Sequence, residues 1–200
     1  MTLGACHSTV GILAYGSLID DPGDEINAVI VERLSPVDTP FRVEFARKSQ
    51  TRGDAPTLVP VSEAGAYVRA CLLVLDTSSE NAMDMLWRRE TRTNDRTRHY
   101  SNPPAGHANR VKVEQLHGFS GIDLVFYTSI AANIQPLTAA HVADLAIASV
   151  ARAPLGEDGI SYLMAAKANQ IETTLSGPYE REILSRTGAG TLEDALASLK

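Results

Sequence analysis

The sequence predicts an α+β fold: a curled, mostly antiparallel sheet or small β-barrel with flanking helices and a helical C-terminal third. Three observations carry this expectation. Short β-branched and apolar runs recur between turn signals through the first two-thirds of the chain. From about residue 138 apolar residues return at the three-and-four spacing of amphipathic helices. The length of 200 residues suits one sizeable core, so a single domain over 1–200 is expected.

The elements follow in order. Val10-Gly11-Ile12-Leu13-Ala14 is a short apolar strand that runs straight into Tyr15-Gly16-Ser17-Leu18. Glycine there permits a tight corner, and successive amides at such a corner can converge on a carboxylate or an oxyanion. Residues 19–25, rich in aspartate with Pro22 and Gly23, read as a turn connection. Residues 27–37, with Val29-Ile30-Val31, read as a strand. So do residues 41–46, where Phe41, Val43 and Phe45 alternate with Arg42 and Glu44 and leave one polar face. Residues 48–56 form a loop, and 57–61 and 67–75 are further strands. The last is almost continuously apolar, as expected of a strand covered on both faces, and Cys71 within it reads as a small core residue.

A helix starts near Ser78 or Ser79, either of which can cap it, with Glu80 and Asp84 near its positive end. Ala82, Met83, Leu86, Trp87 and Glu90 then keep helical spacing. Residues 92–106 make a long polar loop of the kind that often carries function. Strands at 110–116 and 122–129 precede helices at 138–152, 161–175, 178–185 and 192–199.

Composition excludes several classes. A net charge of −6 argues against a dedicated nucleic-acid binder. No apolar run approaches the ~20 residues that span a membrane. The segment Met1-Thr2-Leu3-Gly4-Ala5-Cys6-His7 lacks the basic flank and apolar stretch of a secretory leader, so the cytoplasm is the simplest expectation. Cys6 and Cys71 do not make a disulfide framework. His7, His99, His107, His117 and His141 show no zinc spacing, and no metal is expected. There is no Gly-x-Ser-x-Gly elbow and no phosphate loop.

Glu90 closes the predicted helix, where a carboxylate opposes the dipole by a few tenths to ~1 kcal/mol if exposed. Neighbouring arginines offset this. It is read either as a solvated helix end with local salt bridges or as a carboxylate brought over the mouth of the sheet as a general base. Arg88, Arg89, Arg92, Arg96 and Arg98 crowd an eleven-residue span against only Glu90 and Asp95, a local positive excess that suits an anionic small substrate.

Several motifs recur together. Tyr15-Gly16-Ser17-Leu18 resembles the Y-G-S-L signature of the γ-glutamylcyclotransferase fold, in which a downstream glutamate is the catalytic base. Ser49-Gln50-Thr51-Arg52-Gly53 is similar to the S-x-x-R-G loop of its ChaC-type, glutathione-degrading branch, with Pro56 and Pro60 in the proline-bearing continuation. Leu86-Trp87-Arg88-Arg89-Glu90 is similar to the branch's L-D-x-R-E, and Tyr162-Leu163 to its late Y-L helix. The chain departs from the branch at Trp87, which stands in place of aspartate, and at Asp54-Ala55, in place of Thr-Pro. The loop after Glu90 is longer, and Gly159 stands near the tail asparagine.

The resemblance implies a catalytic role for Glu90 and substrate contacts at Tyr15, Gly16, Ser17, Leu18, Ile19 and Arg52. The implied enzyme releases 5-oxoproline from a γ-glutamyl amide, glutathione being the first candidate, with no metal or organic cofactor. Its partner would be that small molecule, not a nucleic acid or a membrane. Two rival expectations stand beside it: the same ring closure on another γ-glutamyl amine or biosynthetic intermediate, and a non-catalytic ligand-binding member of the fold.

Overall fold

The computed structural model describes residues 8–200, so Cys6, His7 and the rest of the N-terminal segment lie outside the described residues. The chain divides into two compact units. One holds the described residues through Ala14, Leu18–Val37 and Ala70–Ile130; the other holds Tyr15–Ser17, Asp38–Arg69 and Ala131–Lys200.

The first unit is built on a five-stranded sheet with β1 (Val10–Ala14) at its centre. On one side β5 (Arg69–Leu75) pairs antiparallel, Ile12 facing Leu73. On the other β7 (Ile122–Ser129) pairs parallel, Ile12 facing Phe126. The outer strands are β2 (Ile30–Asp38), beside β5, and β6 (Lys112–Phe119), antiparallel to β7. Every residue of β1 is buried, which suits a central strand that reads as a continuous apolar run. The sheet is therefore mixed and open, with β2 and β6 as edges, rather than a closed barrel, while its β1–β5 and β6–β7 pairings are antiparallel as expected. The physical reason is that β3 (Arg42–Ser49) and β4 (Ala55–Val61) pair only with each other, as a separate two-stranded sheet.

Helix α2 (Ser79–Thr91) packs on β1, β6 and β7. Its N-cap is Ser78, whose hydroxyl accepts from the Asn81 amide at 3.2 Å. Leu18, Ile26, Leu73, Leu86 and Phe126 share one apolar core, with Ile19 and Trp87 packed against it. Asp24 and Glu25, read from the sequence as the end of a turn, and Asn27, read as the start of a strand, belong instead to the short helix α1 (Asp24–Asn27), which packs on α2.

In the second unit the β3–β4 hairpin is accompanied by α3 (Ala139–Ala148), α4 (Gly159–Ala168), α5 (Ser176–Thr187) and α6 (Leu192–Ser198). Thr138, Asp158 and Thr191 cap α3, α4 and α6 through their side chains. The helix expected over 138–152 ends as α3 at Ala148 and passes into a 3-10 stretch, Val150–Leu155. Glu44, expected on a polar strand face, is fully buried. Its carboxylate accepts from the Thr173 hydroxyl at 2.5 Å, the Phe45 amide at 2.9 Å and the Leu175 amide at 3.1 Å.

Candidate functional site

The Gly16–Leu18 stretch leaves β1 as a single 3-10 turn. Gly16 sits at φ 61°, in the left-handed region where a side chain is strained. A Cβ there would also fall 2.7 Å from the Tyr162 hydroxyl oxygen, so glycine is required both by the corner and by its neighbour. Tyr162, from α4, stands where Arg52 converges too. The Arg52 guanidinium lies 5.1 Å from the Tyr162 ring centroid, and its Nη1 donates to the Gly156 carbonyl at 3.3 Å. The Leu58 amide donates to the same hydroxyl at 3.4 Å. The Tyr15 ring meets Phe41 edge-on at 5.7 Å. Tyr15, Gly16, Ser17 and Arg52 thus belong to the second unit, with Tyr162 as the shared neighbour of Gly16 and Arg52. Tyr162 is visible in the sequence as part of a late helix, but nothing in its local pattern points to this contact.

Leu18, Ile19 and Glu90 belong to the first unit. Leu18 and Leu86 are members of one core, and Glu90 follows Leu86 by four residues, on the same face of α2. The Glu90 side chain is a quarter exposed and its Oε1 accepts from Arg89 Nη1 at 2.6 Å. Arg89 in turn donates to the Asp21 carbonyl at 2.5 Å. The carboxylate is therefore held in one orientation at a half-buried helix end, rather than waving in solvent.

The arginine excess read from the sequence divides into distinct roles. Arg88 is buried, and its guanidinium grips both oxygens of Glu25, at 2.7 and 3.1 Å, while Nη1 donates to the Arg98 carbonyl at 2.8 Å. That bidentate bond holds the Glu25 carboxyl below the usual carboxylate range, outweighing the opposing effect of burial. Asp84, one turn before Arg88, accepts from His99 Nδ1 and from the Tyr100 amide, both at 2.6 Å. It ties the long polar loop back to the helix. Arg98 lies over the Trp87 ring at 5.4 Å. The sequence places Glu25 only in a turn and marks Asp84 only as a favourable dipole charge. Their partners lie 63 and 15 residues away, beyond any local pattern.

Among the described residues no group of three or more His, Cys, Asp or Glu side chains could hold a metal ion, and no helix is long and apolar enough to cross a membrane. The geometry defines an α+β protein with an oriented helix-end carboxylate and, in its other unit, a glycine turn beside a tyrosine and an arginine. No protein-family model, curated protein or solved structure matches the chain.

Proposed function

We propose that the chain is a γ-glutamylcyclotransferase-like enzyme that closes a γ-glutamyl amide to 5-oxoproline and frees the amine, with glutathione as first candidate. The observation that carries this reading is the state of Glu90. It is half-buried and oriented by Arg89, on the face of α2 whose Leu86 shares a core with Leu18 of the glycine turn.

The chemistry asks little beyond placement. The substrate's own α-amine nitrogen attacks its γ-carbonyl carbon. The new C–N bond closes the lactam, and the bond to the departing amine breaks. Holding the chain in that folded geometry supplies several kcal/mol of the barrier. Glu90 takes the proton from the α-ammonium and returns one to the leaving nitrogen, which a single carboxylate can do in sequence. The resemblance, rather than the geometry, assigns the α-carboxylate or the developing oxyanion to the amides of the Gly16–Leu18 turn and a further substrate contact to Arg52.

Glu90→Gln tests the assignment, because it keeps shape and hydrogen bonding but cannot accept the proton. We expect kcat to fall by roughly 10²- to 10⁴-fold, with substrate affinity and melting temperature close to those of the parent. A Glu90→Gln protein releasing 5-oxoproline near the parent rate would reject Glu90 as the base.

A further inference from the structure

We propose that Tyr162 is a positioning residue for the glycine turn: its hydroxyl is the fixed stop that sets the Gly16 corner and so the aim of the turn's amides. This role rests on the cyclotransferase reading, because the turn serves catalysis only if its amides hold the substrate. Gly16, Ser17, Tyr162 and Arg52 all belong to the second unit.

The contact is close and comes from one atom. A Cβ on Gly16 would fall 2.7 Å from the Tyr162 hydroxyl oxygen, while the next neighbours, Leu58 Cδ1 and Tyr162 Cζ, lie at 3.6 and 3.7 Å, ordinary contact distances. That oxygen therefore accounts for the whole obstruction. The Gly16 backbone lies against it in the left-handed region, at φ 61°. Glycine has the widest conformational freedom of any residue, so a corner built on it needs a stop to present its amides in one direction.

The oxygen is held so that it cannot give way. Tyr162 is only 8% exposed, and its ring meets Phe45 edge-on at 6.2 Å. The Arg52 guanidinium lies 5.1 Å from the Tyr162 ring centroid and is itself bonded to the Gly156 carbonyl. The Leu58 amide of β4 donates to the hydroxyl at 3.4 Å. Helix α4, which carries the ring, is seated at close approach. A Cβ on Gly159 would come 2.8 Å from the Ala146 Cβ of α3 and 2.9 Å from the Pro56 Cδ of β4. The Tyr179 hydroxyl donates to the Gly159 carbonyl at 3.2 Å and ties down the first turn of the helix. Such support from packed elements is what fixes a functional group's geometry.

A double-mutant cycle on Gly16→Ala and Tyr162→Phe tests this, read in the kinetics of 5-oxoproline release by the full chain. Tyr162→Phe removes only the oxygen. It should lower kcat/KM by roughly threefold to tenfold, as expected when one neutral hydrogen-bonding group is lost. A loss carried by KM marks a turn that holds the α-carboxylate, and a loss carried by kcat marks one that holds the developing oxyanion. Gly16→Ala should cost far less activity in the Tyr162→Phe background than in the parent, because the obstruction at 2.7 Å is gone. Melting temperatures of the four proteins should show the same recovery. Tyr67→Phe, at an exposed tyrosine of the same unit, should match the parent. With an active parent, a Tyr162→Phe protein within twofold of it, or an equal Gly16→Ala loss in both backgrounds, would overturn the role of Tyr162 alone. A parent that releases no 5-oxoproline would overturn the cyclotransferase reading, and this role with it.

Discussion

Glu25 and Glu44 belong to different units, and each loses water on folding, yet their surroundings move them in opposite directions. Glu25, a quarter exposed, meets the buried Arg88 guanidinium face on. The hydrogen bond lowers its pKa. Glu44 is fully buried and among the described residues no cation is bonded to it; it accepts instead from a hydroxyl and from backbone amides. Burial outweighs those hydrogen bonds and raises its pKa. The first unit thus keeps a charged network within reach of solvent. The second uses a carboxylate as an internal staple between β3 and the segment that leads into α5.

Breaking the staple should have the largest effect on stability. Glu44→Ala leaves the Phe45 and Leu175 amides and the Thr173 hydroxyl without their acceptor, at about 3 kcal/mol. Glu44→Gln keeps an acceptor and should cost less. Urea unfolding of the two variants measures the difference, and equal losses would show that hydrogen bonding at Glu44 contributes little.

Removing the cation in the first unit comes next. Arg88→Met strands Glu25 and leaves Asp84 without its neighbouring charge, 4.0 Å away in the native protein. A fully buried pair broken this way typically loses about 3–5 kcal/mol. Because solvent reaches part of Glu25, about 2 kcal/mol is expected here. The double variant Arg88→Met/Glu25→Gln should recover part of the loss, and failure to do so would place the cost in packing instead.

The smallest effect is in pH dependence, and its sign separates the two carboxylates. The folded pKa of Glu25 lies below its ordinary value of 4.5. Its contribution to stability is therefore fully present above pH 4.5 and is lost as pH falls through the lowered folded value. The folded pKa of Glu44 lies above 4.5. Between 4.5 and the raised value the folded state binds the extra proton, so stability declines as pH rises through that window. Glu25→Gln should flatten the acid-side loss and leave the decline above pH 4.5 in place. Glu44→Gln should do the reverse. Unfolding free energies measured from about pH 3 to 7, across the range where carboxylates titrate, check both slopes.

Local chemistry made much of the fold legible. The strand expected over 122–129 is β7 itself, and Ser78 is one of the two expected caps. The helical C-terminal third begins where the spacing changes, at Thr138. Pairing was not legible, because the parallel contact of β1 with β7 joins segments more than a hundred residues apart. The isolation of the β3–β4 hairpin is likewise a property of tertiary packing, and it is what turns an expected barrel into an open sheet. Glu44 shows the same limit. Alternation marks its side of β3 as polar, but the covering segment near Thr173 lies 129 residues away. At the candidate site the glycine turn and the helix-end glutamate were legible as motifs. The Arg88–Glu25 pair was not, since neither residue carries a local signature of the other.

The decisive measurement is the release of 5-oxoproline by the parent protein from glutathione, other γ-glutamyl dipeptides and γ-glutamyl amines. At least one of these should yield 5-oxoproline, with one free amine appearing for each ring closed. Release from an amine substrate but not from glutathione would move the specificity and keep the chemistry. No 5-oxoproline from any of them, with the protein folded and the freed amine undetectable, would contradict the cyclotransferase reading.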